Sequence, residues 1–322
     1  LNNDNFLLSS RASFSSDLVE TLESRLGVKN NKTVGNIGNV NFDEIFKIMS
    51  YLESGGRTDA IGDSGTSFGP TQVHGPYFIS ALSRQPNVEQ ITGLSSNELK
   101  EMANEWKNSL YAIRNENIWK YVPVNQESIK NYIKENPKSV VSRAEGTFVR
   151  YPEMIIVKKD GQYVGKTFDL DRLANMGLNV NSPATRRGIE NIFNTYVTDN
   201  VAKSTLAQLF LLQSAPVSFL KFKRQFNAKN IRSNKNISNL IYNVSSNDFM
   251  NKIQSVINDV QKSGYNTSVP NSYNLYQLII IANASGAGRV QEFLFKKKPF
   301  GAGHLHYLKS SRFRNTLNKL RN

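Results

Sequence analysis

Cysteine is absent from this chain of 322 residues, so it can form neither a disulfide nor a thiolate metal site. Histidine is scarce. His74, His304 and His306 are the whole supply, and the His304-Leu305-His306 pair falls short of the three or four protein ligands that a zinc site takes. It reads as two solvated side chains, and no metal or cofactor is expected. Long apolar runs are missing as well: the longest candidate, Leu278-Ile279-Ile280-Ile281-Ala282, is far below the ~20 residues of a membrane span. The chain begins at Leu1, and Leu1 to Asp17 lacks the basic start, apolar middle and small-residue cleavage site of a secretory signal. Processing or trimming at that end is expected.

Acids are short in two places. Residues 221–235 hold Lys221, Lys223, Arg224, Lys229, Arg232 and Lys235 with no acid, and residues 289–322 hold nine Lys or Arg against Glu292 alone. Together they account for the whole formal charge of +14. Such clustering suits a polyanionic partner: DNA, anionic wall polymers or a phosphate-rich membrane surface. The alternative is a solvated face that keeps the protein soluble. Phe219, Phe222 and Phe226 fall three and four residues apart, the spacing of a buried helical stripe rather than of base-stacking platforms.

What is present suffices for a core. The chain is 39% apolar and 10% aromatic, enough for one large domain or two ordinary ones. Residues 1–40, polar and rich in Asn and Ser, read as an arm or linker with one helix from Ser16 to Leu26. Asn41 or Asp43 caps a helix whose apolar positions are Phe42, Ile45, Phe46, Met49 and Leu52, and Gly55-Gly56 stop it. Helical periods follow from Ser95 to Trp119, with Trp106 and Trp119 in the core, then from Ser182-Pro183 through Ile189, Ile192, Phe193, Tyr196 and Val197. Others lie near 203–214, 236–244, 246–263 (closed by Gly264) and Tyr273 to Ala284. Between them Lys159-Asp160-Gly161 joins two β-prone runs into a hairpin. The expectation is a mainly α protein carrying one small β-hairpin.

Glu53 stands in the last turn of its helix. A carboxylate there opposes the helix dipole, which disfavours its charged form and raises its pKa, as a proton donor requires. Directly after it, Gly62, Gly65 and Gly69 punctuate a loop or short hairpin anchored by Phe68 and Val73, where a ligand can approach the backbone closely.

Glu53-Ser54-Gly55-Gly56-Arg57-Thr58-Asp59-Ala60-Ile61 resembles the Glu-Ser-Gly-x-Asn-Pro-x-Ala-Val opening of lytic transglycosylases. Gly62-Asp63-Ser64-Gly65-Thr66-Ser67-Phe68-Gly69-Pro70-Thr71-Gln72-Val73 is closer to the Gly-Asp-x-Gly-x-x-Phe-Gly-x-x-Gln-Val block of goose-type lysozymes. Downstream, Ala282-Asn283-Ala284-Ser285-Gly286-Ala287-Gly288-Arg289-Val290 has the spacing of the transglycosylase block Ala-Tyr-Asn-Ala-Gly-Pro-Gly-Arg-Val. Departures are Asn283 for Tyr, Ala284 for Asn and Pro70-Thr71 for Leu-Met. The resemblance implies a lysozyme-like α+β catalytic body from residues 41–85 and 272–322, and a large, mostly helical insertion, 86–271, that holds the hairpin. Without a Pro/Gly/Ser-rich linker, one continuous body with a protruding lobe is expected.

The same resemblance implies cleavage of the MurNAc-GlcNAc β-1,4 bond of peptidoglycan glycan strands, with Glu53 as general acid and base. Ser54, Gln72, Tyr77, Asn283, Ser285 and Gly286 would contact substrate or position the acid, with loop packing as the plainer role. A lytic transglycosylase needs one acid and leaves 1,6-anhydro ends. An inverting lysozyme needs a second carboxylate roughly 6.5–9.5 Å away to hold water; Asp63 is the candidate, Asp59 the weaker one, and an Asx-turn the alternative role of Asp63. A third reading is a non-catalytic structural or ejected virion protein that binds wall or DNA. The expected setting is a phage particle acting on the host wall, among other virion proteins, with a secreted or periplasmic bacterial enzyme as the alternative.

Overall fold

The computed structural model describes residues 42–309 apart from Ser64, Ala144, Glu145, Tyr196, Ser268, Pro270 and Ala302. The expected arm 1–40, its helix, and the basic residues 310–322 lie outside the described residues. The protein is mostly helical with small antiparallel sheets. It divides into two compact units, where one body with a lobe was expected. The first takes the described residues up to Gly62, Ser67–Ile91 and those from Phe226 onward; the second takes Asp63–Thr66 and Thr92–Gln225. The second unit is thus narrower than the expected insertion 86–271, because residues 226–271 give their apolar side chains to the first core.

Helix α1 (Phe42–Ser54) buries Ile45, Phe46, Ile48, Met49 and Leu52 on one face. Gly55 (φ 66°) and Gly56 (φ 77°) end it: their N–H groups donate to the Tyr51 carbonyl at 3.1 Å and the Ser50 carbonyl at 2.9 Å, satisfying acceptors the last turn leaves open. Three two-residue strands follow, β1 (Ile61–Gly62), β2 (Ser67–Phe68) and β3 (Val73–His74), antiparallel in that order. The anchors are those the sequence predicts: Phe68 and Val73 are buried, and Phe68 stacks on Phe78 of α2 (Gly75–Leu82) at 4.8 Å. A short α3 (Val88–Thr92) comes next.

In the second unit, α4 (Ser96–Asn115) opens with a reciprocal cap between Ser95 and Glu98 and buries Leu99, Met102, Trp106, Leu110 and Ile113. It stops earlier than expected. Trp119 opens strand β4 (Trp119–Pro123), where it stacks on Phe168 at 4.5 Å; an aromatic and β-branched run ending in proline pairs better than it coils. After α5 (Gln126–Glu135) come β5 (Val140–Arg143), β6 (Gly146–Tyr151), β7 (Met154–Lys159) and β8 (Gln162–Phe168). They complete a five-stranded antiparallel sheet in the order β4-β8-β7-β6-β5. The expected hairpin is β7–β8, closed by the Lys159–Gln162 pair across Asp160 (φ 51°) and Gly161 (φ 80°). The other three strands escaped the sequence pattern because their residues are short of apolar alternation. Helices α6 (Leu170–Asn175), α7 (Pro183–Asn194), α8 (Asp199–Gln213) and α9 (Val217–Gln225) complete the unit, with Ile189, Ile192, Phe193, Phe219 and Phe222 buried.

The chain re-enters the first unit with α10 (Ala228–Ser233) and α11 (Lys235–Ser263), one helix where two were expected, closed by Gly264 at φ 64°. Asn274 and Gln277 cap α12 (Leu275–Ser285), whose residues Tyr276 and Leu278–Ala282 have no exposed surface. A helix buried on every side is the centre of its core. Around it pack α1, Phe249, Ile253 and Val256 of α11, and Val290 and Leu294 of α13 (Ala287–Lys296), with Tyr307 of α14 (His306–Lys309).

The glycine loop is pressed onto α11 at Gly69. Its φ is +79°, and a Cβ there would lie 2.4 Å from Ser245 Oγ and 2.8 Å from Ile241 Cγ2. Gly69→Ala is expected to cost roughly 2–4 kcal/mol, from backbone strain plus overpacking. Thermal melts of the full chain check this, and an unshifted midpoint would show that the loop does not rest on α11.

Candidate functional site

Glu53, half-buried in the last turn of α1, holds two neutral donors, one on each oxygen. Asn283 Nδ2, near the end of α12, donates to Oε1 at 3.0 Å, and the Tyr307 hydroxyl of α14 donates to Oε2 at 2.6 Å. The carboxyl plane is therefore held from two sides, and the first and last sequence blocks meet at this one side chain. Lys252 of α11 donates to Asn283 Oδ1 at 3.5 Å, which turns the amide so that its N–H faces Glu53. Lys252 is itself ion-paired to Asp248 at 2.7 Å.

Tyr307 was not legible in the sequence, since no motif links it to a residue 254 positions away. Its placement traces to Arg289. That guanidinium pairs with Glu292 at 3.3 Å, donates to the Lys298 and Pro299 carbonyls, and lies 5.5 Å over the Phe300 ring. So Arg289 acts as a clamp on the segment that leads to Tyr307. The Gly301 N–H then donates to His304 Nδ1 at 2.9 Å, closing the turn before α14. A phenol thus reaches Glu53 from position 307.

The other expected residues are placed as follows. Ser54 Oγ donates to the Ser50 carbonyl at 2.9 Å and accepts from Arg57 N–H at 3.1 Å, finishing α1. Gln72 (φ 52°) donates to the carbonyls of Gly69 at 2.8 Å and Ala60 at 3.3 Å. Its Oε1 lies 1.9 Å from where a Gly62 Cβ would be, so this glycine is needed for the amide to enter the loop. Tyr77 is 59% exposed, its ring 6.4 Å from that of His74. Ser285 ends α12, and Gly286 (φ 87°) bends the chain into α13. Among the described residues, no atom beyond the local backbone and the chain neighbours lies within 4 Å of a Cβ built at Gly286 or Gly288, which leaves room there for a ligand.

Asp59 is ion-paired with Arg232. Asp63 (φ 48°) is grouped with the second unit, where its carbonyl accepts from Thr66 Oγ1 at 2.7 Å. Among the described residues no three His, Asp or Glu side chains stand together as metal ligands, and no helix is long and apolar enough to cross a membrane. The segments 221–235 and 289–322 lie partly on α9–α11 and α13. There Lys221 pairs with Glu98, and Lys296 and Lys298 share Glu292.

No protein-family model, curated protein or solved structure matches the chain.

Burial, and then the charge of Arg289, hold the His304 pKa below its ordinary 6.5. The unfolded chain therefore binds the proton more readily, so the stability that neutral His304 contributes is full above pH 6.5 and is lost as pH falls through the folded value. The expected NMR titration midpoint of His304 lies below 6.5, and His304→Asn should flatten the acid side of the stability profile. A midpoint above 6.5 would contradict the geometry.

Proposed function

We propose that this protein cleaves the glycan strands of peptidoglycan as a lytic transglycosylase, on a lysozyme-like catalytic body, with Glu53 as the acid and then the base. The observation that carries this reading is the meeting of Glu53 with Asn283, 230 residues apart, at one half-buried carboxyl. Those are residues of the two blocks that resemble the transglycosylase pattern. In this mechanism Glu53 protonates the oxygen of the MurNAc-GlcNAc bond as it breaks. It then takes the proton of the 6-hydroxyl, which closes on C1 to give a 1,6-anhydro sugar.

The surroundings of Glu53 suit both of its protonation states. A phenol can donate to a carboxylate or accept from a carboxylic acid, so Tyr307 keeps its contact while the proton comes and goes. Asn283 can only donate through Nδ2, so it holds Oε1 as an acceptor throughout. The open backbone at Gly286 and Gly288 offers space to a sugar at the end of α12, the helix that carries Asn283.

Glu53→Gln should leave the fold intact, since the amide can point its oxygen at Asn283 and its nitrogen at the Tyr307 hydroxyl, which then accepts. Wall lysis should fall by ~10²–10⁴, the usual loss on removing a general acid. Mass spectrometry of muropeptides released from purified peptidoglycan should show 1,6-anhydro ends, with Asp63→Asn largely active. Reducing ends, together with a collapse of activity in Asp63→Asn, would overturn the transglycosylase in favour of an inverting lysozyme with Asp63 on the water. Absence of any release would favour a wall- or DNA-binding virion protein that does not cut.

A further inference from the structure

An asparagine amide has nearly the same shape at its two ends and opposite chemistry, so something must choose which end faces a neighbour. At Asn283 the choice is made on the side away from Glu53. Nδ2 donates to Glu53 Oε1 at 3.0 Å, and Oδ1 accepts from Lys252 Nζ at 3.5 Å. A lysine ammonium carries donors and no acceptor, so it tolerates only the oxygen of the amide. Turned over, Asn283 would set Nδ2 against that ammonium and Oδ1 against the carboxylate.

Lys252 is itself held in place. Asp248, one turn earlier on α11, lies 2.7 Å from its Nζ, and the two side chains are only 22% and 24% exposed. Asp248 Oδ2 is closed off from solvent, and the ammonium is what it faces. Desolvation takes back most of the attraction in a pair so withdrawn from water, which leaves orientation as its contribution. The Asp248 carboxylate also offsets the field of the ammonium, so what reaches Glu53 is chiefly the direction in which the amide points. Around Glu53, the helices of the first unit bring Asn283 of α12 and Tyr307 of α14 to the carboxyl. Behind Asn283 stand Lys252 and Asp248 of α11, and behind the segment leading to Tyr307 stand Arg289 and Glu292 of α13.

We propose that Lys252, anchored by Asp248, is a positioning residue that sets the proton affinity of Glu53 by fixing the orientation of the Asn283 amide. A carboxylate gains from an N–H donor, whereas a carboxylic acid gains from an acceptor for its own proton. With Nδ2 locked toward it, Glu53 gives up its proton more readily than beside an amide free to turn and accept from the acid. In the proposed glycosidase this works against the helix dipole at the end of α1, and so lets the group that has served as acid serve next as base. That consequence rests on the function proposed above; the orienting role does not.

The test is a carbon-13 NMR titration of the full chain labelled at the glutamate side-chain carboxyl, with the Glu53 signal identified by its loss in Glu53→Gln. Lys252→Met should raise the Glu53 midpoint by about one pH unit, a tenfold gain in proton affinity. Lys252→Gln, whose amide accepts as well as donates and so leaves Asn283 free to turn, should shift it in the same direction and serves should Lys252→Met not fold. Asn283→Ala should raise the midpoint by itself, and in that background Lys252→Met should add less than about half of its former shift. An unmoved midpoint in a folded Lys252→Met or Lys252→Gln would overturn the proposal. So would a shift of equal size with and without Asn283, which would mean that the ammonium acts on the carboxyl directly through space. Wall release is measured on the same variants: a shifted midpoint without release removes the glycosidase reading alone, and release with an unmoved midpoint removes this positioning role alone.

Discussion

The first unit depends on helix α12, which is surrounded by apolar side chains on every face and has nowhere else to go. Tyr276 and Leu278–Ala282 are without exposed surface, and burying a side chain of that size contributes about 1.5–3 kcal/mol over leaving it in water. Because α1, α11 and α13 all pack on this one rod, the positions of their ends are fixed relative to it. Asn283 lies at the rod's polar end, just where the apolar run stops. Glu53 lies in the last turn of a neighbour. The contact between them is a consequence of core packing, made from two segments that the rest of the chain keeps far apart in sequence.

A carboxyl in such a place needs polar company, and the structure supplies it by indirect means. Lys252 orients Asn283, and Arg289 clamps the strand of chain that brings Tyr307 into reach. Each of these cations acts on the site through another residue. The two groups that donate to the carboxyl, the Asn283 amide and the Tyr307 hydroxyl, are both neutral. The same economy appears in the glycine loop, where Gln72 spends its amide on two backbone carbonyls and Gly69 rests on α11.

Local pattern in the sequence was sufficient to place α1 with its glycine stop, the Phe68 and Val73 anchors, the Asp160-Gly161 hairpin, the buried Phe219 and Phe222 and the Gly264 stop. In each of these a residue type dictates backbone geometry or a periodic face over a few neighbours. It was insufficient for Trp119, where a helical period ran on into what pairs as a strand, and for strands β5 and β6, which become a sheet only by having partners. The membership of α11 is of the same kind: whether it belongs to one core or the other depends on which apolar faces it meets.

The sequence by itself determined that Glu53 would end a helix before a glycine-rich turn, and that a second glycine turn would follow an apolar helix near residue 284, since both depend on local backbone preferences. Only the tertiary structure decided that Asn283 and Tyr307 would share that carboxyl and that Gln72 and Ser54 would serve the backbone. Those outcomes depend on contacts between residues distant along the chain, and no local preference encodes which distant side chain will be brought within three ångströms of a given oxygen.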